Sequence, residues 1–472
     1  MNLRHLLLAC ACGAAMPAAG WAQATGAGTT AAENEDDALQ TIEVIGRREG
    51  QLGDTSFSIT KTVVRLLDLP QSVAVVTSET IRNLGLTRLN ELAPYVAGVS
   101  EFSTYNDLSI RGFRTSDDRR LNGFRTYNNF WSQPLINHLD RVEIIRGPAS
   151  AVFGDASPGG TINMVTKKPL REFAHQVFAA VGSFDERQAA IDTTGPLGGD
   201  VLLYRLNIAG EDSGSFREEI FSRGFLIAPS ISILPVEGTA INIDLVHTDT
   251  DSVLDRGQPN ILGTNALRTV PRGLSVSQPG DFFDTVSTSL TATIDQRIVE
   301  GVRVAAAYSR YWYDEKLDEH GYATDEIIDL YYLTRQSDAS VESLTTYLAA
   351  DFATGAIGHK LVAGFDYARR RNIYFDAYTD TIGQFDLTAP EYFERDIASY
   401  GPLIEDEYGG LLRTHGFYIN NQMAIGPIQL LVGLRHDRYR AQSFGLDREG
   451  GSAWLPRAGI VYNINPDSSI YA

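Results

Sequence analysis

The chain has 472 residues, 43% hydrophobic and 21% charged, with a formal net charge of −19. That acidity argues against a nucleic-acid partner, because phosphate binding needs a basic face. Past the first twenty residues no apolar run reaches the ~18 residues that a membrane helix requires, so a chain like this spans a membrane, if at all, with strands.

The opening residues read as an export signal at 1–24: Arg4 and His5 are the basic start, Leu6 to Ala15 the apolar stretch, and Ala22-Gln23-Ala24 the cleavage site. Both cysteines, Cys10 and Cys12, fall inside it, and lipoprotein processing at Cys10 would leave too short an apolar stretch. The mature chain then has no disulfide, thiolate metal site or cysteine nucleophile. Residues 25–54 form a leader whose first part (TGAGTTAAENEDDA) is small, polar and acidic, with nothing to bury, and is expected to be disordered. LQTIEVIG (39–46) interrupts it with a β-prone run. Such a run suits pairing with the edge of another protein's sheet, and equally an edge strand of the domain that follows.

Residues 55–170 carry mixed signals of a small α+β domain. LPQSVAVVT (69–77) reads as a strand, after which Ser78 caps a helix from Glu79 to Leu84; a second helix is expected from Arg88 to Ala93, ahead of Pro94. LSIRGF, RVEIIRG and TINMVTKK read as short strands bounded by Gly and Pro.

From 171 to 472 the pattern becomes alternating segments of about ten residues separated by turns, with aromatics such as Tyr308, Tyr311 and Tyr313 near strand ends. Leu202, Tyr204, Leu206 and Ile208 interleave with Leu203, Arg205 and Asn207; Ile428, Leu430, Val432 and Leu434 face away from Gln429 and Arg435. A soluble sandwich has the same period. Short turns at 195–200 and 424–427 against long connections near 249–282, 314–340 and 371–412, however, give the asymmetry of an outer-membrane barrel with its long loops outside the cell.

LPQSVAVVT, LAPYVAGVS (92–100), IRGF (110–113), DRVEIIRGPASAVFGDASPGG (140–160) and TINMVTKKP (161–169) resemble, in order and spacing, the plug of TonB-dependent siderophore receptors. The resemblance covers the plug continuously and the barrel loosely. It implies a membrane all-β fold: a transmembrane antiparallel barrel of ~22 strands with the α+β plug in its lumen. A plug of this size has a radius of gyration near ~13 Å and needs a lumen roughly 35 Å across, which ~12 strands would not enclose and ~22 would. About a dozen strands are countable after residue 172, and SSIYA stops in mid-strand, so the chain is expected to be truncated at its C-terminus.

The same resemblance makes LQTIEVIG the coupling peptide, the TonB box, with Thr41, Ile42, Glu43, Val44 and Ile45 offered to TonB of the inner-membrane energy-transducing complex. Arg111, Glu143 and Arg146 resemble the charged residues that anchor plugs to the barrel wall; salt bridges internal to the plug are the alternative. Gly147, Gly154, Gly159 and Gly160 supply tight turns and close backbone approach rather than a phosphate loop, since no Lys-Ser/Thr follows. Ferric siderophores are bulky and already hold their iron, so no metal ligand or cofactor of the protein's own is expected. The receptor should instead offer aromatic and hydrogen-bonding surface. Loop placement nominates Tyr105, Asn106, Tyr127, Asn128, Phe130 and Trp131 on the plug apices. Tyr374 and Tyr378 are nominated in a barrel loop dense in aromatics, with Phe375, Phe385, Tyr392 and Phe393. Asp117, Asp118, Arg119 and Arg120 read as a solvated loop or a ligand-sensing patch.

The expected function is TonB-driven uptake of a ferric siderophore by a monomer embedded in outer-membrane lipid and lipopolysaccharide, without catalysis. Haem, cobalamin or a glycan are alternative cargoes, although the outer loops carry no FRAP-type haem motif; a passive porin would need neither plug nor coupling peptide.

Overall fold

The computed structural model describes residues 55–56 and 61–472, except 116–118, 128–129, 148, 150–152, 155, 259–269, 325–327 and 388. The export signal, the leader, the coupling strand Thr41 to Ile45, and Asp117, Asp118 and Asn128 lie outside the described residues.

After the small pair β1 (Thr55–Ser56) and β2 (Val64–Arg65), strand β3 (Val73–Thr77) runs into helix α1 (Ser78–Asn83). The helix cap is Thr77 and not Ser78: its hydroxyl accepts from the Thr80 amide at 3.3 Å, and Ser78 is buried in the first turn. The second expected helix is a 3-10 helix at Asn90–Tyr95 that includes Pro94. The Glu91 carboxylate takes the amides of Thr87 (2.7 Å) and Arg88 (3.1 Å), so those residues form the turn before the helix instead of its first turn.

Strands β4 (Val99–Glu101), β5 (Leu108–Ile110) and β6 (Phe113–Arg114) make a small antiparallel sheet. Strands β7 (Arg119–Leu121), β8 (Phe124–Arg125), β9 (Leu139–Arg146) and β10 (Gly160–Thr166) join β3 in the order β3-β9-β10-β7-β8, with β10 and β7 parallel. Between β9 and β10 the described glycines Gly147 and Gly159 pack closely. Gly147 donates its amide to the Gly159 carbonyl at 2.8 Å, and a Cβ on Gly159 would lie 2.4 Å from the Ile110 carbonyl oxygen.

The remaining strands form one antiparallel meander of thirteen in chain order: β11 (Ala174–Val181), β12 (Arg187–Gly198), β13 (Leu202–Gly214), β14 (Phe221–Ile233), β15 (Thr239–Ser252), β16 (Phe282–Val299), β17 (Val302–Thr324), β18 (Ile328–Thr354), β19 (Ile357–Phe385), β20 (Ile404–Ile425), β21 (Ile428–Ser443), β22 (Glu449–Asn465) and β23 (Ser468–Tyr471). Alternation works as expected: Leu203 and Ala209 face inward, while Ile243, Val432 and Leu434 face out and are exposed. The plug core of Leu92, Leu108, Ile110, Leu139, Val142 and Ile144 continues into Ala209, Leu226, Ala228 and Val246 of this wall. Plug and inner wall therefore share one apolar core.

Two expected loops are strands. Residues 314–324 belong to β17 and 328–340 to β18; 371–385 finish β19 and 404–412 begin β20. The long connection 253–281 is real, and so is 386–403. At ~3.3 Å per residue, β18 and β19 (27 and 29 residues) far exceed the 9–11 residues that cross a bilayer, so the ladder continues well above it, where neither face must be apolar.

Candidate functional site, an aromatic and guanidinium vestibule

Two plug loops and the extended upper ladder converge on one cluster of rings. Asn106 holds the loops together: its backbone amide donates to the Phe130 carbonyl at 3.0 Å and its side-chain amide to the Ser132 carbonyl at 3.2 Å. The side chain is buried, so Asn106 serves the site as a staple between loops and presents no ligand surface.

On that staple Tyr105 and Phe130 meet edge to face at 6.3 Å, Phe130 and Trp131 tilt at 5.3 Å, and Trp131 meets Phe283 of β16 edge-on at 6.1 Å. The Tyr105 hydroxyl donates to the Asp255 carbonyl at 2.7 Å, and burial pushes its pKa well above the usual phenol range, so it stays a neutral donor. Four guanidinium groups lie over these and neighbouring rings: Arg114 over Phe130 (4.4 Å), Arg256 over Trp131 (4.4 Å), Arg335 near both Trp131 (5.6 Å) and Tyr374 (5.5 Å), and Arg370 over Tyr127 (5.9 Å). Three of them are also charge-paired: Arg114 with Asp107 at 2.7 Å, Arg256 with Glu319, and Arg335 with Asp376 at 2.7 Å. Pairing fixes each planar group where it can stack on a ring or donate to a ligand.

Tyr127 bonds hydroxyl to hydroxyl with Tyr374 and packs against Tyr311, Tyr313, Ala339 and Val341. Tyr374 stacks on Tyr408 at 4.9 Å, and the Tyr408 hydroxyl donates to Asp376 at 3.0 Å. The plug apex is thereby joined to β18, β19 and β20. Tyr378 lies on the same face four residues beyond Tyr374, half-buried and opposite Leu333. Thus Tyr105, Tyr127, Phe130, Trp131 and Tyr374 come together as nominated, with Tyr378 above them. Arg114, Arg256, Arg335, Asp376 and Tyr408 were missed. Nothing local marks them, because their role comes from strand register and long-range placement. Phe375 points the other way from Tyr374, and Phe385 and Tyr392 belong to a separate apolar cluster with Leu274, Val276, Ile328 and Leu330.

The nominated anchors bind mainly within the plug. Glu143 is fully buried and accepts from Arg141 and Asn163, each at 2.9 Å; Arg146 donates to the Ser72 hydroxyl at 2.8 Å; Arg111, exposed at φ 53°, donates its amide to the Gly98 carbonyl. Other residues carry the polar contacts from plug to wall. Arg88 pairs with Glu211 at 2.5 Å, Lys167 with Asp192 at 3.0 Å and Lys168 with Asp244 at 2.5 Å. Near the start of the described chain, Lys61 inserts its ammonium among Asp366 (3.2 Å), Thr345 (3.1 Å) and the Tyr418 hydroxyl (2.6 Å), with Arg435 on the far side of Asp366 at 2.7 Å. The two wall-binding lysines after β10 sit in the quoted TINMVTKKP run, so the sequence carried that signal.

The TonB-dependent Receptor Plug Domain model matches residues 65–161, and the TonB dependent receptor-like, beta-barrel model matches 238–472. Among curated relatives, the metal-pseudopaline receptor CntO of Pseudomonas aeruginosa strain PAO1 is 29% identical over 467 residues, covering 90% of this chain and 63% of the relative. The ferrichrome outer membrane transporter/phage receptor of Escherichia coli K12 is 26% identical over 484 residues, covering 92% and 63%. The chain therefore spans less than two-thirds of the length of these relatives. In fold it is similar to the closed form of the ferric-catecholate import receptor Fiu from Escherichia coli K12, with a TM-score of 0.79 at 19% identity, covering 86% of this chain and 65% of that one. With a plug and a wall that each match that family's domains, and with the two joined through one core, the chain belongs to the TonB-dependent receptors, a family of outer-membrane transporters and not of enzymes.

Proposed function

We propose that this chain acts in TonB-dependent uptake of ferric siderophores across the outer membrane. The cargo would bind the vestibule of Tyr105, Phe130, Trp131, Tyr127 and Tyr374, and plug rearrangement would be driven through residues 39–46. The observation that supports this reading most is the ring and guanidinium surface where plug apices meet the upper strands. It suits a bulky chelate that already holds its metal, because rings grip the ligand's apolar parts and fixed guanidiniums meet its oxygens. The relatives named for ferrichrome, ferrioxamine and catecholate siderophores favour the same cargo class. The relative named for metal-pseudopaline favours a second reading, in which the chelator is of that kind and the metal need not be iron.

Fluorescence titration separates these cargoes. Of the tryptophans beyond the export signal, Trp131 lies in the vestibule, whereas Trp312 alternates with the inward Tyr311 and Tyr313, and Trp454 tilts against His436 of the outer face. Saturable quenching by one ferric chelate, lost in Trp131→Phe, is expected. Response only to haem or cobalamin would overturn the siderophore reading. Deleting residues 39–46 should abolish uptake and leave quenching intact, and continued uptake would refute the coupling role.

A further inference from the structure

The arginines of the vestibule are not equivalent. Of the guanidiniums set over its rings, Arg114 is tied to Asp107, Arg256 to Glu319 and Arg335 to Asp376. Arg370 has no such tie. Among the described residues it makes no ion pair and no hydrogen bond, and its contact is the ring of Tyr127 at 5.9 Å.

Strand register accounts for the difference. Arg370 points into the lumen with Asp366 and Tyr374 of the same strand, and its lateral neighbours are Val341 of β18 and Leu412 of β20. The diagonal positions on that face are Ala339, Ser343, Gly410 and Thr414, and the next inward residues of β19 are Ala368 and Asn372. None of these is a carboxylate. Along β19 the inward acids are Asp366, about 13 Å below, and Asp376, about 20 Å above, at ~3.3 Å per residue. Both are already occupied. Asp366 holds Lys61 at 3.2 Å and Arg435 at 2.7 Å, and Asp376 holds Arg335 through two oxygens at 2.8 and 2.7 Å.

A half-buried guanidinium between apolar neighbours has given up part of its hydration without gaining a counter-charge. Beside it the Asn372 amide donates to the Tyr127 hydroxyl at 3.3 Å, and that hydroxyl bonds to the Tyr374 hydroxyl. The deepest part of the vestibule wall therefore presents a planar fork of N–H donors, an amide and phenols around one uncompensated positive charge. A carboxylate fits such a fork with two parallel hydrogen bonds. A ferric trihydroxamate does not, because its anionic groups are all spent on the metal and the complex is neutral.

We infer that Arg370 is the specificity-determining residue of the vestibule, and that the preferred cargo is a ferric chelate keeping a free carboxylate outside the metal's coordination shell. This rests on the uptake reading above and narrows it. The three paired arginines hold the shape of the surface, and Arg370 reads the charge of what enters, with Asn372 and the Tyr127–Tyr374 hydroxyls bordering the bound carboxylate.

The test is a quenching titration of the full receptor with ferric citrate, ferrichrome, and ferrioxamine B capped at its amine with either succinate or acetate. The two capped chelates share one hydroxamate core and differ in the carboxylate. Wild type should bind the succinate form at least about tenfold more tightly than the acetate form, and ferric citrate more tightly than ferrichrome by a similar factor, as expected for a charge-assisted bidentate contact. In Arg370→Gln both preferences should fall below about threefold, and Arg370→Lys should restore part of them, since it returns the charge without the fork. A structural role for Arg370 would weaken every chelate alike and leave the preference standing, which would overturn the inference. So would a wild type that binds the neutral chelates as tightly as the carboxylate-bearing ones, a comparison that decides the matter if Arg370→Gln does not assemble. Quenching by haem or cobalamin and by none of the ferric chelates would overturn the uptake reading itself, and this inference with it.

Discussion

The Arg88–Glu211 pair makes the hold of the plug on its wall measurable. The two side chains are 8% and 7% exposed and meet at 2.5 Å, so solvent screens them little. Arg88→Met keeps the aliphatic bulk but leaves the Glu211 carboxylate facing the plug with only the Gln188 amide at 3.2 Å. Breaking one side of a buried pair costs about 3–5 kcal/mol, and the remaining amide places this case near 3, or roughly 150-fold in the opening equilibrium of the segment. Hydrogen exchange reads that equilibrium at the amides of Leu86 and Leu92, which donate to the Ile81 and Leu89 carbonyls. Exchange there should accelerate by about that factor, while β12 and β13 amides on the membrane side stay protected. Arg88→Met combined with Glu211→Met should recover most of the loss, since an apolar pair of similar volume replaces the ions. A change below about threefold in the single variant, or a double variant that opens as readily as the single, would refute the reasoning.

Two further perturbations test the plug. Burial, reinforced by nearby Lys167, pushes the pKa of His138 down to about 3 from 6.5. Its neutral form therefore contributes stability that is fully present above pH 6.5 and is lost as pH falls towards 3. Between pH 7 and pH 5 the plug should lose about 2 kcal/mol, and His138→Asn should flatten that dependence in urea titrations. Gly159→Ala would press its Cβ to 2.4 Å from the Ile110 carbonyl oxygen and 2.7 Å from the Phe113 Cβ, so the plug should lose at least about 2 kcal/mol. Gly123→Ala meets no neighbour and strains only its φ of +84°, so the same urea titration should show a loss nearer 1 kcal/mol.

The plug was legible because its strands are short, bounded by Gly and Pro, and carried by motifs that fall in order. The lower wall was legible because lipid forces one face to be apolar, as with Val432 and Leu434 against Arg435. Above the membrane that constraint ends, and the run ARRRNIYFDAYTD (368–380) looks like a loop although it is ladder throughout. The rings of the vestibule could be nominated from loop position and residue type. Their partners Arg256, Arg335 and Tyr408 could not, because three strands and the connection after β15 must first be set in register. Lys61 escaped for a similar reason: a lone lysine before β2 has no local mark of the aspartate it meets 305 residues later.

The lengths of β18 and β19 set how far the receptor stands from the cell. Twenty-nine residues at ~3.3 Å and a ~40° tilt give about 70 Å of height, of which the apolar band takes ~25 Å. Roughly 45 Å of hydrogen-bonded ladder then projects beyond that band, more than the ~30 Å diameter of a small domain. The upper strands thus form a stiff, hydrogen-bonded collar above the bilayer. Under the proposed uptake function, the cargo would first be met at the rim of that collar, well away from the bilayer surface.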